Sequence, residues 1–287
     1  RNSAVLGIEN PYVNGGIVDS WGLEAGADYT KKVGDDLLLN AGANFTLAKN
    51  KIVEEYETPR AYKYQERTGL SLGQIFGLQA IGYFTDQADI DHSPAQQFSE
   101  VRPGDIKYKD QNGDNVINAD DEVKMGYNSY CPEIYYSFHI GAEYKGIGFN
   151  AMFQGAGNYT AILNTQSMFW PTLGTTNISQ YYYDNRWTPE TPNAKFPRLT
   201  SEGNQNNFRT NSVWLANRSF LKLRNVELYY KLPKGLLRVT KYINGAKFYV
   251  RGIDLLCFDH IKEVDPEQYG TTYPLTRSVV IGLALNF

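Results

Sequence analysis

The chain has little cysteine, no long hydrophobic run and almost no net charge, and each shortage removes a class of protein. Two cysteines in 287 residues, Cys131 and Cys257, are too few for a disulfide scaffold and lack CxxC spacing, so they read as isolated thiols. With 28 Lys and Arg against 31 Asp and Glu, no basic surplus exists to gather phosphates, which argues against a nucleic-acid partner. No apolar run is long enough for a transmembrane helix, and mean hydropathy is −0.45. That shortage leaves a membrane β-barrel open, because barrel strands are apolar on one side only. The first residues, RNSAVLGIEN, have neither the charged start and apolar stretch nor the cleavage site of a signal peptide, which points to a removed leader or a fragment.

Tyrosine, phenylalanine and glycine are abundant, at 22, 14 and 26 residues, a mixture that favours strands and turns over helices. Their order has a period of two. At the end of the chain, Val279, Ile281, Leu283, Leu285 and Phe287 alternate with Ser278, Val280, Gly282, Ala284 and Asn286. The same alternation recurs in 17–30, 37–48, 134–144 and 147–154, and less cleanly in 219–231 and 247–257, where bulges are expected. The segments 17–30 and 37–48 are each long enough to cross a bilayer as a tilted strand of about 9 to 11 residues.

The links between these segments alternate in length. Short ones at 31–36 and 145–146 and a moderate one at 232–246 interleave with long ones at 49–133, 158–218 and 258–277. Short turns on one side and long loops on the other mark an outer-membrane barrel. If the last strand ends on the periplasmic side, every long link falls outside. Closed bacterial barrels have even strand numbers, so seven strands predict part of a larger one. The expected fold is therefore all-β: the C-terminal portion of a large antiparallel transmembrane β-barrel with long extracellular loops. A soluble β-sandwich is the alternative, but loops of roughly 60 to 85 residues exceed ordinary connections.

Several stretches carry a resemblance: PGDIKYKDQNGDNVINADDE (103–122), FQGAGNYT (153–160), RWTPETPNAKFPRL (186–199), SFLKLRNVELYYKLP (219–233), the triplet Asp265-Pro266-Glu267 and the terminal aromatic strand. In this order they resemble the SusC/RagA group of TonB-dependent outer-membrane transporters of Bacteroidetes. The resemblance implies a barrel of about 22 strands, of which residues 1–287 would supply the C-terminal part, with the plug and first strands absent. It further implies import of oligosaccharides or oligopeptides across the bacterial outer membrane. Its implied partners are a SusD-like surface lipoprotein, TonB acting through the missing plug, and outer-membrane lipid.

One local motif stands apart from the strands. Asp110, Asn112, Asp114, Asn118 and Asp121 occupy the first, third, fifth, ninth and twelfth positions of an EF-hand-like loop, with the Val116 carbonyl at the seventh. Hard oxygen ligands in that order predict Ca2+, held as a stiffener as in dockerin-like loops. Asn115 stands where glycine is usual, Asp121 replaces the usual Glu, and flanking helices are not evident; the competing reading is a solvated loop of Asx turns. Gly69-Leu-Ser71-Leu-Gly73 matches GxSxG, but the extended sequence that follows lacks the strand-to-helix elbow of a hydrolase. The three histidines have no metal-like spacing. Trp170, Tyr181, Tyr182, Tyr183 and Trp187 gather in one long loop, where they could capture a substrate or form the loop's own core. The expected function is a SusC-type importer rather than an enzyme. The alternatives are a calcium-stiffened adhesin or binding protein without transport and, as a third reading, a hydrolase built on the acidic loop.

Overall fold

A computed structural model describes residues 14–163, 177–233, 235, 243–261, 264–268, 273 and 275–287. Seven strands form one antiparallel sheet in chain order: β1 (Gly16–Val33), β2 (Leu37–Glu55), β3 (Ile134–Tyr144), β4 (Ile147–Gly157), β5 (Phe220–Lys231), β6 (Gly245–Asp259) and β7 (Ser278–Asn286). All seven lie on the segments with a two-residue period. β1 and β2 run longer than expected, to 18 and 19 residues, and residues 48–55 of β2 continue past its pairing with β3. The β3–β4 hairpin closes through Lys145 and Gly146, both at positive φ (50° and 85°), as a two-residue turn that follows strand twist requires. No helix of the described residues is long and apolar enough to cross a membrane.

Directly paired residues share a face, so the register sorts the side chains into rows. Leu39, Ala142, Phe149, Leu228, Val250 and Ile281 lie side by side across β2 to β7 on one face. One residue along, Asn40, Gly141, Asn150, Glu227, Arg251 and Val280 form the corresponding row on the other. The first face is continuously apolar and bare, with Ile281 81% exposed. An apolar surface of this extent belongs in a non-aqueous solvent.

Glycines on the polar face let side chains bond across an intervening strand. Gly148 pairs with Glu143 on one side and Tyr229 on the other, and the Tyr229 hydroxyl donates to Glu143 Oε2 at 2.6 Å over the gap. A Cβ on Gly148 would land in the Tyr229 ring. Gly42 plays the same part between Asp28 and His139, whose side chains approach to 3.5 Å. Blurred alternation in β5 and β6 has a local cause. Leu223 pairs with Leu256 but Asn225 with Ile253, leaving Arg224 on one strand and Asp254 and Leu255 on the other as a bulge, with Asp254 at φ 50°.

The buried core lies outside the wall, in the links β2–β3 and β4–β5. Short antiparallel pairs join Ile75–Leu78 to Glu122–Met125, Ala80–Tyr83 to Ile106–Tyr108 and Thr160–Ile162 to Leu215–Asn217. One cluster buries Leu78, Ile106, Tyr108 and Ile117; another buries Tyr182, Phe196, Phe208 and Trp214 and takes in Ile261 from beyond β6.

Gly148→Val forces a β-branched side chain into the space of the Tyr229 ring and breaks its bond to Glu143. Overpacking of this kind costs about 1–3 kcal/mol. The heat-induced mobility shift of the folded barrel in detergent gels should occur at a lower temperature for this variant. An unchanged shift would mean that the polar-face contacts add nothing to the wall.

Candidate functional site

At the outer end of the wall the two long links are held together by one buried carboxylate. Asp105 is fully buried, and it accepts hydrogen bonds from Arg198 Nε (2.7 Å) and Nη2 (3.2 Å), Asn204 Nδ2 (3.1 Å), Asn207 Nδ2 (2.8 Å) and the Arg102 amide (2.8 Å). Five donors on one charge leave its oxygens satisfied, which is the condition for burying it. The asparagines then pair backbone across the same seam: Asn207 Oδ1 accepts from the Ile106 amide at 2.9 Å, and Asn206 Nδ2 donates to the Ile106 carbonyl at 2.9 Å. Asn211 Nδ2 donates to the Tyr108 hydroxyl at 2.8 Å, and burial raises that phenol well above its ordinary range. Sequence reading did not single out this network. Its one visible signal is the recurrence of asparagine at 204, 206, 207 and 211 in a stretch that is otherwise polar.

The loop aromatics divide between interior and surface. Tyr182 is fully buried and stacks on Phe196 with ring centroids 5.0 Å apart, and Trp214 completes the stack 5.7 Å from Phe196. Trp187 is also buried, against Gly104, whose φ of +87° and missing Cβ admit the indole. These two carry packing. Tyr181 sits at the cluster edge with its hydroxyl 2.8 Å from Lys195 Nζ, and Tyr183 is exposed beneath the Arg186 guanidinium, 3.7 Å from its ring centroid. Trp170 lies outside the described residues.

The acidic loop is a chain of Asx turns. Asp110 accepts from the Gly113 and Asn115 amides (2.6 and 2.9 Å), Asn112 from the Asp114 amide (3.0 Å) and Asp114 from the Val116 amide (2.8 Å). Asn115 adopts φ 62°, the left-handed backbone that the loop requires at this position. Asn118 caps a short 3-10 turn at Ala119–Asp121, and Asp121, fully buried, accepts from the Gln111 and Asn118 amides (2.8 and 2.9 Å). Tyr64 covers this end and donates to the Asp120 carbonyl at 2.6 Å; burial, then the Asp121 charge, pushes its phenol up to about 12. Among the described residues no three His, Cys, Asp or Glu side chains converge as a ready metal set. Ser71 of the GxSxG match donates to the Asn50 carbonyl at 3.1 Å, and among the described residues no histidine or carboxylate is hydrogen-bonded to it.

A second charged group fastens the loops to the wall. Lys222, almost fully buried on the polar face of β5, reaches Asp265 and Glu267 at 2.8 Å each. The bulged Arg224 spans Gln154 Oε1 (2.9 Å), Asp254 Oδ1 (2.9 Å) and Glu267. Burial would raise the Glu267 carboxyl, but its bonds to Arg224 and Lys222 outweigh that and hold it below the usual range. Arg218 adds a bond from Nε to the Pro266 carbonyl at 2.6 Å and another from Nη1 to the Ser129 carbonyl at 2.9 Å. The Asp-Pro-Glu triplet thus turns inward onto the wall.

Asp105→Ala removes the acceptor of five donors and leaves the Arg198 charge without its partner. Breaking a buried pair from one side costs roughly 3–5 kcal/mol. Limited proteolysis across a urea series should show cleavage within 56–133 and 158–219 at markedly lower urea than for the parent, with Asp105→Asn in between. Coincident midpoints would remove Asp105 from its central place.

No family model matches the chain. By sequence it is similar to "TonB-dependent receptor P26" of Formosa agariphila, 28% identical over an alignment of 235 residues, with 76% of this chain and 23% of the relative covered. "TonB-dependent receptor P3" of the same organism is 24% identical over 98% of this chain and 30% of its own length. Among solved structures, the RagAB peptide transporter superposes with a TM-score of 0.74 at 22% identity, over the whole of this chain and 31% of that one. The RagAB peptide importer in its closed-closed state gives 0.72. The chain therefore spans less than a third of the length of the proteins it matches. The seven-stranded sheet matches part of the RagA-like barrel, which makes its apolar face the lipid side and its polar face the lumen. The chain is thus similar in sequence to TonB-dependent receptors and in fold to part of the RagAB transporter.

Proposed function

We propose that this chain is the C-terminal wall and mouth of a TonB-dependent outer-membrane importer that takes up oligomeric nutrients and does no covalent chemistry. The observation that carries this reading is the pairing of one bare apolar face with one hydrogen-bonded polar face over seven strands. The polar face, with Asn40, Asn150, Glu227 and Arg251 in one row, keeps a lumen wet, while the apolar rows hold the wall in lipid. Transport is then gated diffusion, driven by TonB through a plug in the rest of the receptor. A SusD-like lipoprotein closes over the loop body from outside. Oligopeptides are the favoured cargo over oligosaccharides, supported by the RagAB match. Deleting the gene should abolish growth on a cognate oligopeptide as sole nitrogen source, and the plasmid-borne gene should restore it. Unimpaired uptake of every oligopeptide and oligosaccharide offered, with lost surface attachment instead, would favour an adhesin.

The acidic loop is assigned to Ca2+, with Asp110, Asn112, Asp114, the Val116 carbonyl, Asn118 and Asp121 as the residues that would hold it. Each of these side chains already accepts a backbone amide, and Asp114 Oδ2 also accepts from Asn112 Nδ2, but the oxygens retain a second lone pair and are the ligands that calcium prefers. The ion's role is stiffening. Chelation with EDTA should make residues 56–133 more susceptible to protease, and the double variant Asp110→Ala, Asp114→Ala should digest equally with or without calcium. Identical digestion of the parent in calcium and in EDTA would remove the metal.

A further inference from the structure

We propose that Asn112–Gly113 is a latent modification site, a peptide unit set to deamidate through a cyclic imide, and that Asp110 holds it closed. An Asn-Gly pair is the sequence most open to this reaction, because no Cβ shields the glycine nitrogen from the asparagine side chain. Gly113 is exposed at φ +78°, and nothing lies within 4 Å of where a Cβ would stand, so packing does not protect the bond. Its protection comes from hydrogen bonds.

The reaction needs no partner but water. The Gly113 nitrogen gives up its proton and attacks Asn112 Cγ; Nδ2 leaves with that proton as ammonia, and a cyclic imide remains. Water then opens the imide at either carbonyl, giving aspartate or isoaspartate. Each requirement of the first step meets an obstacle in the loop. The N–H that must ionise donates to Asp110 Oδ1 at 2.6 Å, so the nitrogen anion would have to form against a carboxylate. The Asn112 side chain is held at both ends: Oδ1 accepts the Asp114 amide at 3.0 Å, and Nδ2 donates to Asp114 Oδ2 and to the Tyr62 hydroxyl at 3.0 Å each. Tyr62 is fixed in turn, stacked on Tyr64 with ring centroids 5.3 Å apart, and Tyr64 is anchored on the Asp120 carbonyl. All of these groups belong to the link between β2 and β3, and of them Asp110 alone acts on the nucleophile.

Conversion changes the loop for good. Either product adds a carboxylate between Asp110 and Asp114, where like charges repel. Isoaspartate also routes the backbone through the old side chain, which takes the Asp114 amide and the Tyr62 hydroxyl off their partners. A receptor whose loop has stood open long enough therefore carries a permanent mark of it.

The test incubates the detergent-solubilised full receptor at mildly alkaline pH in EDTA, which keeps any metal out of the comparison and separates the outcome from the calcium assignment. Trypsin releases residues 110–124 between Lys109 and Lys124, and fragment mass spectra read the fraction converted at Asn112. A synthetic peptide of the same residues gives the unprotected rate. The parent should convert about ten-fold more slowly than the peptide, the factor that one charge-assisted hydrogen bond sets. Asp110→Ala should approach the peptide rate. Asn244–Gly245, at the start of β6, is the internal standard for general loosening and should keep its rate in the variant. A parent that converts as fast as the peptide, a variant no faster than the parent, or a rise at Asn244 equal to that at Asn112 overturns the assignment.

Discussion

A wall between lipid and water has to satisfy every backbone hydrogen bond inside itself while showing unlike surfaces to its two solvents. Nearly everything in this chain follows from that constraint. The antiparallel register places Leu39, Phe149, Leu228 and Ile281 in one row and Asn40, Asn150, Glu227 and Arg251 in the adjacent one, so a slip of one residue would reverse both faces at once. Glycines at 42, 141 and 148 belong to the same solution. A polar side chain on a lumen wall needs partners, and the neighbouring strand cannot always offer one. A missing Cβ lets the strand beyond supply it.

The wall spends its apolar residues on lipid, so it has none left to stabilise the long loops. They build a separate interior, and a small body of this kind lacks the apolar area to hold two long links in register by packing alone. Asp105 and the four asparagines supply the specificity instead. Buried amides and a buried carboxylate tolerate few alternative arrangements, because each misplacement strands a donor or an acceptor. The stacked Tyr182, Phe196 and Trp214 then fill the space that this polar seam defines.

The strands were legible because a period of two survives in sequence wherever a strand separates unlike solvents. It was visible at 134–144, where the observed ends coincide with those expected, and blurred at 219–231, where Arg224 adds a residue to one strand. The loop interior was not legible. Asp105 lies inside a stretch that reads as an acidic surface segment, and nothing local tells its buried carboxylate from the solvated ones nearby. Its partners are roughly a hundred residues away, beyond the reach of any local pattern. The aromatic cluster was half legible: composition located it, but only the fold divides the buried Tyr182 and Trp187 from Tyr181 at the cluster edge and the exposed Tyr183.

Ile261 and residues 264–267 show how the loop body and the wall are joined. Ile261 packs in the loop core, the Pro266 carbonyl is held by Arg218, and Asp265 and Glu267 are bound to Lys222 and Arg224 on the wall. Moving the loop body away from the wall would separate cations from anions where little water reaches them. Such a separation is expensive, because each charge left behind keeps its desolvation without its partner. The loop body and the wall are therefore fastened to each other as one unit. Segments that touch this unit without being fastened to it are the ones that can shift at lower cost.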